Sequence, residues 1–134
     1  SLGAKLKTVE DLMISGSRVP FIDENSDMKK ALKHLTKKKL GILIAINKKK
    51  MTTGIITDGQ IRRSSQKNNS LIYSSVKKIM TKNPISVDKD MLAVKSLAIM
   101  SEKKITSLCV HKKNKPKKTI GVLHIHNILD GNIS

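Results

Sequence analysis

Aromatic residues are almost missing from this chain of 134 residues: Phe21, Tyr73 and no tryptophan. Its core must therefore be aliphatic, and the stacking platforms that single-stranded nucleic acid needs are excluded. Cys109 is the only cysteine, which excludes a disulfide framework and a multi-cysteine metal site and fits a reducing cytoplasm. No apolar run approaches the roughly 20 residues of a membrane helix. The longest, Leu40 to Ile46, has the length of a strand. Ser1 to Ala4 opens without the basic-then-apolar pattern of a signal peptide. Catalytic signatures are absent too: no nucleophile elbow, no paired carboxylates on apolar faces and no Walker loop.

Acidic residues are also scarce, 10 against 27 lysines and arginines, for a formal charge of +17. So basic a chain raises nucleic acid as a partner. Only Arg18, Arg62 and Arg63 are arginines, however, and neither helix-turn-helix nor zinc-finger spacing is present. The lysines concentrate in two polar loops, Lys48 to Lys50 and Lys112 to Lys118, and on helix exteriors. That pattern favours a solvated lysine surface over a nucleic-acid interface.

What is present is a duplication. Val9 to Met13 (VEDLM) opens a first module after a leader at 1–8. Pro20-Phe21-Ile22 reads as a short strand led by its proline. Asn25 or Ser26 is the expected cap of a helix from Met28 to Lys38, whose Met28, Ala31, Leu32 and Leu35 form one buried stripe. Ile42 to Ile46 is continuous enough to be a strand buried on both faces, and it pairs as a hairpin with Thr52 to Thr57. Asp58 is the expected cap of a helix reaching about Ser65. A polar linker at 67–75 follows the first repeat at 9–66.

The order then returns over 76–131. Val76 to Met80 matches Val9 to Met13, and Pro84 to Val87 matches the Pro20 strand. Asp88 or Asp90 is the expected cap of a helix with Met91, Val94, Leu97, Ala98 and Ile99 inward. Ile105 to Val110 and Thr119 to Leu123 make the second hairpin. Met13 and Met80 lie 67 positions apart, as do Gly54 and Gly121, while Leu32 and Leu97 lie 65 apart. The difference falls in loops, where insertions are tolerated. Each repeat is thus β-α-β-β-α in a mixed α/β (α+β) fold. One such unit buries little apolar surface alone, so two are expected to share a core.

The chemistry concentrates where each repeat passes from strand to helix, at Gly54–Arg63 (GIITDGQIRR) and Gly121–Ile128 (GVLHIHNI). A strand that delivers small polar side chains to a helix start suits a phosphate or ribose. Thr57, Asp58, Gln60, Arg62 and Arg63 are the candidates in the first repeat, and His124, His126 and Asn127 in the second. Thr106 and Ser107 enter an otherwise apolar strand, so they need polar partners there. A metal at His124 and His126 has no third ligand placed by the sequence. His34 and His111 read as surface residues, and Cys109 and the spaced methionines Met13, Met28, Met80, Met91 and Met100 as core.

The V-x-x-[LI]-M module starts, the proline-led strands and the two strand-to-helix elements resemble a tandem cystathionine-β-synthase (CBS) pair, or Bateman module, over Val9 to Asp130. The resemblance implies two repeats packed with pseudo-twofold symmetry, association as a dimer, and a cleft for an adenine nucleotide or related phosphorylated ligand. It adds Pro20, Gly41 and Ile42, with Pro84 and Ile85, to the ligand-binding residues. SLGAKL before VEDLM, Leu40-Gly41, Thr57-Asp58-Gly59, Arg62-Arg63, Ile105-Thr106-Ser107 and GVLHIH are similar to the C-terminal end of the bacterial arabinose-5-phosphate isomerase family. That likeness implies an upstream sugar-isomerase (SIS) domain converting ribulose 5-phosphate to arabinose 5-phosphate for Kdo and lipopolysaccharide synthesis. It further implies a tetrameric full enzyme, and CMP-Kdo as a feedback ligand. The usual CBS pattern has Ser or Thr followed three residues later by a ribose-binding Asp. Here Thr57 precedes Gln60 and His124 precedes Asn127, so the charge-assisted bond is missing. A sugar nucleotide carrying its own carboxylate suits His124, His126, Arg62 or Arg63 instead.

Overall fold

The computed structural model describes residues 6–67 and 70–130. In chain order the elements are α1 (Val9–Leu12), β1 (Ile14–Ser15), β2 (Phe21–Asp23), α2 (Met28–Lys38), β3 (Ile42–Ile46), β4 (Thr52–Thr57) and α3 (Asp58–Lys67). Then come α4 (Val76–Ile79), β5 (Thr81–Lys82), β6 (Ser86–Asp88), α5 (Ala93–Lys103), β7 (Ser107–His111), β8 (Thr119–His124) and α6 (Ile125–Asp130). They form two compact units. A continuous unit runs Pro20–Pro84, and a split unit joins the chain up to Val19 with the chain from Ile85 onward.

The continuous unit holds a sheet of order β2-β3-β4-β5, with β2 and β3 parallel and the other pairs antiparallel. On β3, Leu43 and Ala45 join the cluster that contains Met28, Ala31 and Leu35 of α2. Ile42 and Ile44, on the opposite face, are buried as well. The strand is therefore apolar on both sides, as its unbroken run requires. Asp27, rather than Asn25 or Ser26, caps α2: its Oδ1 accepts from Lys30 N–H at 2.8 Å. Asn25 instead donates its N–H to Asp23 Oδ1 within the preceding turn. Lys39 closes α2 in the left-handed region, at φ 57°, and donates to the Leu35 carbonyl.

The split unit repeats the plan with β1-β8-β7-β6, where β6 and β7 are parallel. Met100, Leu108, Val110, Leu123 and Ile128 fill its core. Helix α5 starts after Leu92 without a side-chain cap. Asp88 Oδ1 accepts from Asp90 N–H, and Asp90 binds Lys89, so both carboxylates serve the preceding turn. The buried face of α5 is Ala93, Ser96 and Met100, with Met91, Val94, Leu97 and Ile99 packed at its margin. Ser96 is accommodated because its Oγ donates to the Ala93 carbonyl at 2.6 Å.

The compact units do not coincide with the sequence repeats. The segment leading each repeat packs with the helix start of the other: Val9 N–H donates to the Met91 carbonyl and Ala93 N–H to Lys7. In the continuous unit Val76 donates to Ser26 and Met28 to Ser74, by the same pattern. The two-residue strands β1 and β5, which have no alternation to read, complete the two sheets. Of the expected leader, residues 1–5 lie outside the described residues, and of the linker, Asn68 and Asn69 do. Leu71, within the linker, is buried in the 3₁₀ turn Leu71–Tyr73.

Candidate functional site

In the continuous unit one end of the sheet gathers three chain segments. Pro20 leads into β2 and its carbonyl accepts from Ile44 N–H at 2.8 Å. Gly41 precedes β3, and Ile42 is the register partner of Thr57 at the end of β4. Asp58 N–H donates to the Gly41 carbonyl at 3.0 Å. The Asp58 carboxylate also folds over Gly41, where an added β-carbon would lie 3.2 Å from Oδ2. Gly41 is at φ 72°, a left-handed conformation that favours glycine. Pro20, Gly41, Ile42, Thr57, Asp58 and Gln60 thus share one edge.

The cap at that edge is Thr57 and not Asp58. Gln60 N–H donates to Thr57 Oγ1 at 3.2 Å, and Asp58 opens the helix as a first-turn acid. That position still suits the helix dipole. The Gln60 side chain is held within the fold: its Nε2 donates to the Ile79 carbonyl at the end of α4. Its Oε1 is buried and unpartnered. The guanidinium of Arg63 reaches back along α3 to Gly59, and Arg62 is exposed on the same helix.

The split unit assembles the matching edge. The Ile85 carbonyl accepts from Cys109 N–H, and Ile125 N–H donates to the Thr106 carbonyl at 2.8 Å. Ser107 pairs with His124 across β7 and β8. Thr106 lies exposed ahead of β7 and Ser107 is half-buried at its first position. Neither is a polar side chain inside a buried strand, contrary to the expectation from sequence. Pro84 falls in the continuous unit, on the other side of the unit boundary from Ile85.

His124 ends β8, so His126 is on the following helix and not one strand step further along. The rings still meet edge to face, with centroids 4.7 Å apart. His126 N–H donates to His124 Nδ1 at 3.0 Å, and His124 N–H donates to Asn127 Oδ1 at 2.8 Å. The first bond assigns the proton of neutral His124 to Nε2. Burial, and then the charge of His126, hold the His124 pKa below its ordinary value. Among the described residues no group of three His, Cys, Asp or Glu could hold a metal.

Two histidines expected at the surface have structured surroundings. His111 Nδ1 shares a 2.6 Å hydrogen bond with Ser86 Oγ. His34 is half-buried with Nδ1 enclosed and unpartnered. Cys109 is core: burial pushes its thiol pKa up to about 11, against a lowering bond from Thr119. Sequence reasoning missed Ile79 as the partner of Gln60. Nothing local marks a backbone carbonyl 19 positions away.

Comparison with known proteins gives a consistent picture. The CBS domain family matches residues 9–67 and 76–132. Arabinose 5-phosphate isomerase KdsD of Escherichia coli K12 is 33% identical over 130 residues, covering 96% of this chain. The Rickettsia prowazekii protein RP505 is 31% identical over all 134 residues. The chain spans 39% and 40% of the length of these two relatives. Among solved structures, the CBS protein ATU1752 of Agrobacterium tumefaciens superposes with a TM-score of 0.85 at 17% identity, covering 96% of this chain and 95% of that one. CBSX2 of Arabidopsis thaliana, solved with AMP, gives 0.80 at 22% identity, with 94% and 96% covered. The MJ0100 CBS pair, solved with 5′-methylthioadenosine and S-adenosylmethionine, gives 0.82 at 21% identity, with 96% and 99% covered.

Proposed function

The chain belongs to the CBS domain family, and from that premise we propose that it is the regulatory, ligand-binding pair of an arabinose-5-phosphate isomerase. In this reading the chain senses a nucleotide or nucleotide sugar such as CMP-Kdo and biases a SIS catalytic domain in the same polypeptide. The observation that carries it is the repetition, in both units, of one edge built from a strand entry, a second strand start and a strand-to-helix turn. Similarity to KdsD supports the link to sugar-phosphate isomerisation, and the AMP and S-adenosylmethionine complexes of related folds support a nucleotide. The chemistry of a bare adenine nucleotide fits less well, because Gln60 and Asn127 stand where a carboxylate would grip the ribose.

Regulation then follows from linkage. A ligand that binds one arrangement of the pair more tightly shifts the attached domain toward the state that arrangement favours. Titration calorimetry of the chain with CMP-Kdo, CMP, AMP and ATP tests the ligand claim. Heat is expected from CMP-Kdo above the others, and no heat from any of the four overturns it.

One feature of the continuous unit favours a second reading, in which the pair acts as an oligomerisation scaffold. Thr57 Oγ1 accepts from Gln60 N–H and Gln60 Nε2 donates to Ile79, so both side chains serve the fold itself. Removal of the pair from the full-length isomerase should then change assembly, with no change in inhibitor response.

A further inference from the structure

The two lysine-rich loops of the sequence form two ordered hairpin tips in the fold. His111 and Thr119 close the β7–β8 pair, so Lys112–Lys118 (KKNKPKK) is its tip. Lys112, Lys113, Lys115, Lys117 and Lys118 are all exposed. The tip is built from two successive turns: Lys115 N–H donates to the Lys112 carbonyl at 3.0 Å, and Lys118 N–H to the Lys115 carbonyl at 3.1 Å. Asn114 takes the left-handed conformation at φ 68°. The charges are therefore displayed on a defined scaffold. The β3–β4 tip of the continuous unit carries Lys48, Lys49 and Lys50, held by Asn47, whose Oδ1 accepts from Lys49 and Met51 N–H. Among the described residues no carboxylate pairs with any lysine of either tip; the ion pairs found are those of Lys89 with Glu10 and Asp90. In each unit the tip is at the end of the hairpin opposite the strand-to-helix turn.

We infer that the Lys112–Lys118 tip is a binding surface for the phosphate backbone of duplex nucleic acid, separate from the candidate ligand edge. Like-charged side chains this close repel, and a polyanion relieves that repulsion while releasing its condensed counterions. The side-chain chemistry selects among polyanions. Lysine is depleted at protein–protein interfaces, where arginine and aromatics are enriched, and the tip has neither. No aromatic ring is present to stack on unpaired bases. No apolar side chain is present to enter a lipid interface, so a membrane would be met by diffuse attraction alone. The duplex backbone, with a charge about every 1.7 Å of axis, matches five charges in seven residues best. Contacts to phosphate carry no sequence information, so the binding is independent of sequence.

Fluorescence anisotropy of a short labelled DNA duplex, titrated with the chain at salt between about 50 and 200 mM, tests this. One variant carries Lys→Gln at 112, 113, 115, 117 and 118. A charge-matched control carries Lys→Gln at the exposed positions 29, 30, 33 and 37 of α2 and at its C-cap, 39. The tip variant should bind at least tenfold more weakly and lower the slope of log K against log salt by up to about 4.5, at roughly 0.9 per phosphate contact. The control should keep most of both, and circular dichroism should show both variants folded. Equal loss in the two variants means that net charge alone binds, and overturns the inference. So does absence of duplex binding at the lowest salt. Tighter, tip-dependent binding to phosphatidylserine vesicles assigns the surface to lipid, and overturns it equally.

Discussion

The side chain of Met80 fills the space that a β-carbon on Gly54 would need. Built there, that carbon would lie 2.6 Å from the Met80 sulfur and 2.8 Å from the Thr81 carbonyl oxygen. Met13 and Gly121 repeat the relationship in the split unit, at 2.5 Å from sulfur and 2.9 Å from the Ile14 carbonyl oxygen. In both places a two-residue strand pairs antiparallel with the strand that leads to the candidate site, and the glycine leaves room for the methionine beside it. Gly54 is paired with Lys82 and Gly121 with Ser15.

Gly54→Ala and Gly121→Ala should each therefore destabilise the protein by about 1–3 kcal/mol through overpacking. Urea denaturation measures the change. Adding Met80→Ala to Gly54→Ala should recover little, since the backbone oxygen of Thr81 remains in the way.

Thr57→Ala removes the acceptor for Gln60 N–H and should cost about 1 kcal/mol, while Thr57→Ser should cost only a small part of that. Amide hydrogen exchange should locate the loss in the first turn of α3. If Thr57 also holds the ligand, the alanine variant should weaken calorimetric binding by more than its stability loss explains.

Burial, followed by the His126 charge, lowers the pKa of His124 from 6.5. The folded state thus takes up that proton less readily than the unfolded chain. The stabilising contribution is complete above about pH 6.5 and is lost as pH falls through the lowered folded value. NMR titration of the His124 ring should give a midpoint under 6.5, and His126→Asn should raise it. A midpoint at or above 6.5 would contradict the enclosed geometry.

Cys109 behaves in the opposite sense. Its thiol is raised from 9.0 to about 11, chiefly by burial. Its contribution is complete below the unfolded value and is lost as pH rises from 9 toward 11. Alkylation by iodoacetamide at pH 8 should be about a hundredfold slower in the folded protein than in urea, because the thiolate is correspondingly rarer. Fast labelling of the native protein would show that the residue is accessible.

Much of the candidate site was legible in the residues around it. Thr57, Asp58, His124 and Asn127 stand out because a β-branched run that ends in polar side chains is a local signal. The structure does place them at the turns. Their partners were not legible. Asp27 outcompetes its neighbours Asn25 and Ser26 for one amide, a choice of geometry between adjacent good caps. Gln60 is drawn to Ile79, and His111 to Ser86, by contacts across the fold.

The sequence by itself determined the duplication, the order of the long helices and strands, the aliphatic core and the burial of β3 on both faces. Hydrophobic periodicity over five or more residues encodes those features locally. Only the tertiary structure decided that the segment leading each repeat completes the other repeat's sheet. It also decided that Gly54 and Gly121 face methionines, and that successive turns hold the 112–118 lysine loop in one ordered tip. A strand of two residues has no period, and which edge it pairs with depends on hydrogen-bonding groups and free volume brought together from distant parts of the chain.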